Sequence, residues 1–365
     1  MLRRAVRARR VCLPPTASNR PRRNRQGFRN GGLVSGQTAL IVGGGAVGID
    51  FHLPRLFSLC GMDEVAIVEI DVRRRAELAA RFGTRTDLKV LPALPDGCDY
   101  DIAVIAAPPR LHAPYVEQLK QRCRKLLIEK PLGHDLTAAE AIVASLAEAS
   151  SQAFVCHIRR ALSSFALVRE LRQRGTFGRL REVRVAEGGV FSWKATSMGS
   201  FSRELNGGGV LQDTGPHAVD VLFQVFDKLT LERCWMDADV HHGTRAIEAN
   251  CVLRLRADDE VGVELSLSRN RNFSNQALFR FDSARVAVDV CDNSLRLTLD
   301  EHVGVQGVAL AGPLQRLEYP ELFDAFYRRF VAAGDNRGVT PTDALRVARI
   351  IDAAYRQAEP TPGEF

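Results

Sequence analysis

Lysine is scarce in this chain. It occurs only at positions 89, 120, 125, 130, 194 and 228, although Lys and Arg together number 50. A lysine standing among so many arginines is therefore worth noting wherever it falls next to a motif. Long apolar runs are also missing: the nearest approach, 38–49, is glycine-rich, stops at Asp50 and falls short of the roughly 18 residues needed to span a bilayer. Membrane insertion is not expected. The eight cysteines show neither C-x-x-C nor paired spacing, which argues against a zinc site or a disulfide frame and for a reducing, cytoplasmic setting. His241-His242 has no Cys or carboxylate at ligand spacing, so no metal is expected.

Acidic residues are absent before Asp50, while ten arginines crowd the first 29 positions. The net charge of +7 thus belongs to that stretch, and the rest of the chain is mildly acidic. Such a tail suits polyanion binding, a transit peptide or a leader without fixed structure. The last is the expectation for 1–35, and nucleic acid is not an expected partner. What remains is ordinary for a soluble globular protein, at 45% hydrophobic and 25% charged, and long enough for two domains.

The chain is organised around Gly207-Gly208-Gly209-Val-Leu-Gln-Asp213-Thr-Gly215-Pro216-His217-Ala-Val-Asp220. Three glycines let the backbone pass close to something, and Pro216 suits the first turn of a helix. Val219, Leu222, Phe223 and Phe226 then recur at helical spacing, predicting a core face opposite His217, Asp220 and Gln224. A carboxylate and an imidazole arrive together at the mouth of a glycine-lined space.

Upstream, the apolar run 38–42 reads as a buried parallel strand and feeds Gly43-Gly44-Gly45-Ala46-Val47-Gly48, a match to G-x-G-x-x-G. The first glycine makes the tight turn, the second admits a pyrophosphate, and the third lets helix pack on strand. Phosphates would then sit at the helix N-terminus. A second strand, 64–70, brings Glu69 to the place of the acid that accepts from the adenosine ribose hydroxyls, with Asp71 the nearby alternative. A carboxylate there repels a 2′-phosphate and favours NAD over NADP. Arg73-Arg74-Arg75 follow at the start of a helix and are expected to face solvent. A strand at 101–106 leads into Ala107-Pro108-Pro109-Arg-Leu-His112, and one at 125–128 into Glu129-Lys130-Pro131. A compact ammonium at Lys130 can donate to a substrate hydroxyl and lower its pKa.

A nucleotide-binding glycine loop, then Glu-Lys-Pro, then GGG-x-x-x-D-x-G-x-H-x-x-D resembles the glucose–fructose oxidoreductase / inositol dehydrogenase (Gfo/Idh/MocA) family. The resemblance runs from about Gly36 to about Ala358. It implies an α/β Rossmann nucleotide-binding domain at 36–155. An α+β domain with a large, mainly antiparallel sheet would fill 156–365 and end in a helix at 343–358. It implies an NAD-dependent dehydrogenase acting on a sugar, cyclitol or nucleotide sugar, and a homodimer or homotetramer formed on the open sheet face. Redox-assisted glycoside cleavage and a non-catalytic NAD-binding regulator are the alternatives within the fold. Gly43, Gly45, Ala46, Val47, Gly48, Glu69, Ala107, Pro108, His112, Glu129 and Lys130 would bind cofactor, with His112 opening the helix after its loop. Lys130, Asp213 and His217 would be catalytic, either Lys130 or His217 serving as base. Lys130, Arg160, Trp193, Asp213 and His217 would bind substrate, Arg160 falling where relatives keep an arginine, although Ala161 and Ser163 replace the aromatic and proline that usually follow. Trp193, in the loop before the glycines, either stacks on a sugar or fills core.

Overall fold

Short apolar runs separated by amphipathic helices build a parallel sheet in the first half of the chain. The computed structural model describes residues 36–191, 202–237, 247–299 and 316–360. The 1–35 stretch, Trp193 and His241-His242 lie outside these. Strands β1 (Thr38–Val42), β2 (Glu64–Val68), β3 (Leu88–Leu91), β4 (Tyr100–Ile105), β5 (Cys123–Ile128) and β6 (Gln152–Val155) pair in parallel in the order β3-β2-β1-β4-β5-β6. Leu40, Ile41, Val104, Leu126 and Leu127 have no exposed surface, because helices cover both faces. The order reverses between β1 and β4, the switch point beside which open α/β sheets bind their ligands.

The second half turns to strands with alternating burial. β7 (Leu180–Gly188), β8 (Leu229–Met236), β9 (Asn250–Ala257), β10 (Val261–Ser268), β11 (Gln276–Phe281), β12 (Ala284–Asp289), β13 (Leu295–Leu299) and β14 (Ala358–Pro360) pair in the order β13-β12-β11-β7-β10-β9-β8-β14. Pairing is antiparallel except for β7 with β10 and β8 with β14. Val183, Val185, Leu253, Leu255, Val263 and Leu265 point into the core, while Arg184, Arg254 and Glu264 sit on the open face.

The helix Pro341–Gln357 starts two residues ahead of expectation, at a capping box in which Thr340 Oγ1 accepts from the Asp343 amide (3.1 Å). It packs on helix Leu136–Leu146, on helix Gly215–Val225 and on β8, so it touches elements of both halves. Helix Gly215–Val225 carries Pro216 in its first turn as the sequence predicts. It is not amphipathic in place, however. His217 and Asp220 are buried along with the apolar face, because the helix runs between other elements on every side. Two segments are wound as π turns, Val47–His52 after the glycine loop and Tyr327–Ala332. In the first, the Leu53 amide reaches the Gly48 carbonyl five residues back. Among the described residues no helix is long and apolar enough to cross a membrane.

Candidate active site

The end of β5 delivers Glu129-Lys130-Pro131, with a cis peptide before the proline. Lys130 Nζ donates to Asp213 Oδ1 (2.7 Å) and to the Asp213 carbonyl (2.9 Å). Arg269, just past β10 and 3% exposed, donates through Nη2 to Asp213 Oδ2 (2.7 Å). Its Nε and Nη1 are buried without a hydrogen-bond partner. One carboxylate thus serves two cations. Burial pushes the Asp213 carboxyl up, but the Lys130 and Arg269 charges outweigh it and hold the group well below the usual carboxylate range.

His217 enters from the first turn of its helix, 8% exposed, with Nδ1 buried and unpartnered. Burial, and then the charges of Lys130, Arg159 and His157, drive its pKa well below 6.5. The ring is therefore neutral at pH 7 and can accept a proton. Arg159 is itself neutralised by a buried two-pronged pair with Glu187 (Nη1 to Oε2, 2.7 Å).

Gly207 lines a cavity of about 180 Å³ with Pro131, His134 and Pro216, yet none of the three glycines has room for a side chain. A Cβ on Gly207 would stand 1.9 Å from the His134 carbonyl, one on Gly208 1.9 Å from the Tyr355 hydroxyl, and one on Gly209 2.0 Å from the Glu248 carbonyl. The close approach inferred from the sequence is real, but what approaches is the protein itself. Glu248 fastens the bend, accepting from the amides of Gly209 (3.0 Å) and Leu211 (2.9 Å) and from Tyr355 (2.8 Å).

At the end of β1 Gly43 adopts φ +104°, and a Cβ there would lie 2.5 Å from the Ala106 carbonyl. Only glycine fits. The amides of Gly45, Ala46 and Val47 begin the following helix, where no carbonyl four residues back can take them. Glu69 Oε2 accepts from the Gly44 amide (2.9 Å) and Oε1 from the Asp71 amide (2.8 Å), so the acid is braced against the loop. Of the three arginines only Arg73 is fully exposed. Contrary to expectation, Arg74 folds back to donate to the Gly44 carbonyl (2.8 Å), and Arg75 donates to the Glu69 carbonyl (2.8 Å). These bonds close the exposed ends of the turn. A helix N-terminus, a glycine that no side chain could replace and a braced acid suit the diphosphate and ribose of a dinucleotide.

A family model described as "Oxidoreductase family, NAD-binding Rossmann fold" matches residues 38–157, and the Gfo/Idh/MocA C-terminal domain matches 165–290. The chain belongs to the Gfo/Idh/MocA family. A dTDP-3,4-didehydro-2,6-dideoxy-alpha-D-glucose 3-reductase of Streptomyces antibioticus is 27% identical over 176 residues, 48% of this chain and 52% of the relative. The chain thus matches about half the length of that relative. Among solved structures, levoglucosan dehydrogenase in complex with NADH and levoglucosan superposes with a TM-score of 0.69. It is 17% identical, covering 88% of this chain and 96% of the other. A 3-ketoreductase from Actinomadura kijaniata, in complex with NADP and TDP-benzene, gives 0.72 at 17% identity, covering 89% and 98%. At these identities the structural likeness shows the fold.

Two residues that the Gfo/Idh/MocA resemblance assigned to ligands are engaged elsewhere. Arg160 donates through Nε and Nη2 to Asp220 (2.9 and 2.8 Å), a fully buried carboxylate that needs a counter-charge, so its guanidinium is not turned to a substrate. His112 does open its helix, but the ring is fully buried between the Ala107 carbonyl (Nε2, 2.9 Å) and the Leu132 carbonyl (Nδ1, 3.1 Å). The neutral ring has one N–H, so it donates to one of these two carbonyls and packs against the other. Arg269, Glu248, Tyr355 and His52 belong to the site or its supports and escaped the sequence reading. None of the four sits in a motif or at a spacing that marks it.

Proposed function

We propose that the chain is an NAD-dependent oxidoreductase moving hydride between nicotinamide and a hydroxyl-bearing carbon of a sugar, cyclitol or nucleotide sugar. One observation carries the reading: Lys130, hydrogen-bonded to Asp213, stands with the neutral imidazole of His217 at the end of β5, two strands across from the glycine loop. Residues 36–155 would hold the nucleotide and 156–365 the substrate.

NAD supplies the hydride acceptor or donor when bound. The chain's own residues handle the proton. In oxidation His217 takes it from the hydroxyl, its depressed pKa keeping the ring free to accept. Lys130 has three donors, two of them on Asp213, which leaves one for the reacting oxygen as negative charge develops. Asp213 binds a neighbouring hydroxyl or orients the base. The braced Glu69 carboxylate favours a free 2′-hydroxyl and hence NAD, and Arg74 is committed to the Gly44 carbonyl. The open sheet face carrying Arg184, Arg254 and Glu264 supports pairing of copies into a homodimer or homotetramer.

Thermal melts of protein first stripped of any cofactor, alone and with NAD⁺ or NADP⁺, test the reading. Ligand at about 100 times its dissociation constant stabilises by roughly 2.7 kcal/mol. A rise with NAD⁺, followed by NADH absorbance in a panel of sugars, cyclitols and nucleotide sugars, is the expected result. No rise with either dinucleotide would sink it.

A further inference from the structure

A buried polar chain outside the catalytic trio ends on the Glu129-Lys130 turn. His52 closes the π turn after the glycine loop and has no exposed surface. Its Nδ1 lies 2.7 Å from the Tyr327 hydroxyl and its Nε2 2.8 Å from Glu129 Oε1. Tyr327 is equally buried and opens the second π turn. Glu129 Oε2 in turn accepts from the Lys130 amide (3.1 Å). π turns are rare and concentrate at functional sites. Here each one supplies a member of the same chain, from positions 275 residues apart.

The protons run one way. Burial pushes the Glu129 carboxyl up, but the His52 hydrogen bond and the charge of Lys130 outweigh it and hold the group ionised. An ionised carboxylate only accepts, so His52 Nε2 donates to it. With Nε2 donating, Nδ1 is the acceptor, and Tyr327, whose phenol is driven up by burial, donates to it. The donor atoms of His52, Glu129 and Cys156 lie within 4.8 Å of one another, as a metal site would require. Yet both nitrogens of His52 are already spent on protein groups, which leaves no lone pair for an ion.

We propose that His52 and Tyr327 are positioning residues for Lys130. Through two directed hydrogen bonds they lock the Glu129 carboxylate, whose free oxygen fixes the Lys130 main chain and so sets the ammonium on Asp213. Without them Glu129 would keep the Lys130 amide and the Cys156 thiol but lose its ring N–H donor, and would turn to regain one, carrying the Lys130 peptide with it. The inference rests on reading Lys130 as the donor to the reacting hydroxyl.

The test uses the full chain carrying His52→Leu, Tyr327→Phe or His52→Gln. Competitive acetylation across pH, read by mass spectrometry, compares Lys130 with the exposed Lys89 and Lys228. Expected: Lys130 becomes more reactive and titrates differently in His52→Leu and Tyr327→Phe. His52→Gln, whose amide still donates to Glu129, returns towards wild type. Turnover should follow, kcat falling about 10- to 100-fold, as supporting-residue changes do at metal sites, with KM for NAD⁺ and the NAD⁺-induced melting shift nearly unchanged. Tyr327→Phe keeps the ring and its packing, so it stays informative if His52→Leu fails to fold. Wild-type Lys130 reactivity in a folded Tyr327→Phe variant would overturn the proposal. So would a stoichiometric metal that His52→Gln releases. A chain that oxidises no hydroxyl in the panel defeats the proposed function alone, since Lys130 labelling needs no substrate.

Discussion

Lys130 and Asp213 stand 83 positions apart in the chain and meet at 2.7 Å, with the other oxygen of the same carboxylate held by Arg269. The ammonium is thereby aimed before any substrate arrives, which is what orientation contributes to catalysis.

Lys130→Met and His217→Ala should each lower kcat by about 10²- to 10⁴-fold, the usual range for a general acid or base. The NAD⁺-induced melting shift should survive in both. Steady-state kinetics decide it, and near-normal turnover in both variants would remove these residues from the chemistry.

Arg269→Gln leaves Asp213 with Lys130 alone. The carboxylate can then rotate, so kcat should drop by less than in Asp213→Ala, while KM for the sugar-like substrate rises. If kcat and KM both match wild type, the second hold on Asp213 has no part in turnover.

Three buried histidines, His112, His157 and His217, have pKa values lowered below 6.5, chiefly by burial. Below about pH 6.5 the unfolded chain binds protons that the folded one refuses, so stability should fall as pH drops from there. Each such group contributes up to about 1.4 kcal/mol per pH unit. The carboxylates Asp213 and Glu129, lowered instead, add their loss only at more acid pH, below their unfolded values. Melting temperatures from pH 7.5 to 5 should slope downward, and a flat profile contradicts the neutral assignment. For the same reason the acid limb of kcat/KM should lie below pH 6.5.

Gly208→Ala drives a methyl into the Tyr355 hydroxyl, at 1.9 Å. Overpacking of this kind typically costs about 1–3 kcal/mol. Chemical denaturation of Gly208→Ala should show it, and adding Tyr355→Phe should recover part by removing the clashing oxygen. An Ala variant as stable as wild type would mean that the bend has slack.

Glu69→Ala should weaken NAD⁺ and narrow its advantage over NADP⁺ in the melts. Equal shifts with both dinucleotides in the wild type would mean that Glu69 does not select.

The nucleotide half was legible because its signals are local. A strand run, glycines at fixed offsets and an acid one strand later each constrain their neighbours, and Lys130, Asp213 and His217 came with motifs of their own. Arg269 and the His52–Tyr327 contact were not legible, since pairing across 56 and 275 positions leaves no mark on spacing. The triple glycine shows a third case. Composition reveals that a backbone needs room, but whether a ligand or the protein fills it depends on distant residues, here Tyr355 and Glu248. Arg160 was placed by likeness, whereas the buried charge of Asp220 decides where its guanidinium goes.

The Tyr355 contact also bears on how the protein is made. Glu248 braces the bend that carries Asp213, and its last bond comes from a helix synthesised after every other element that the helix touches. During translation the parallel sheet has all its strands long before that helix emerges. The bend beside Asp213 therefore lacks its Tyr355 brace until the last of these elements has left the ribosome.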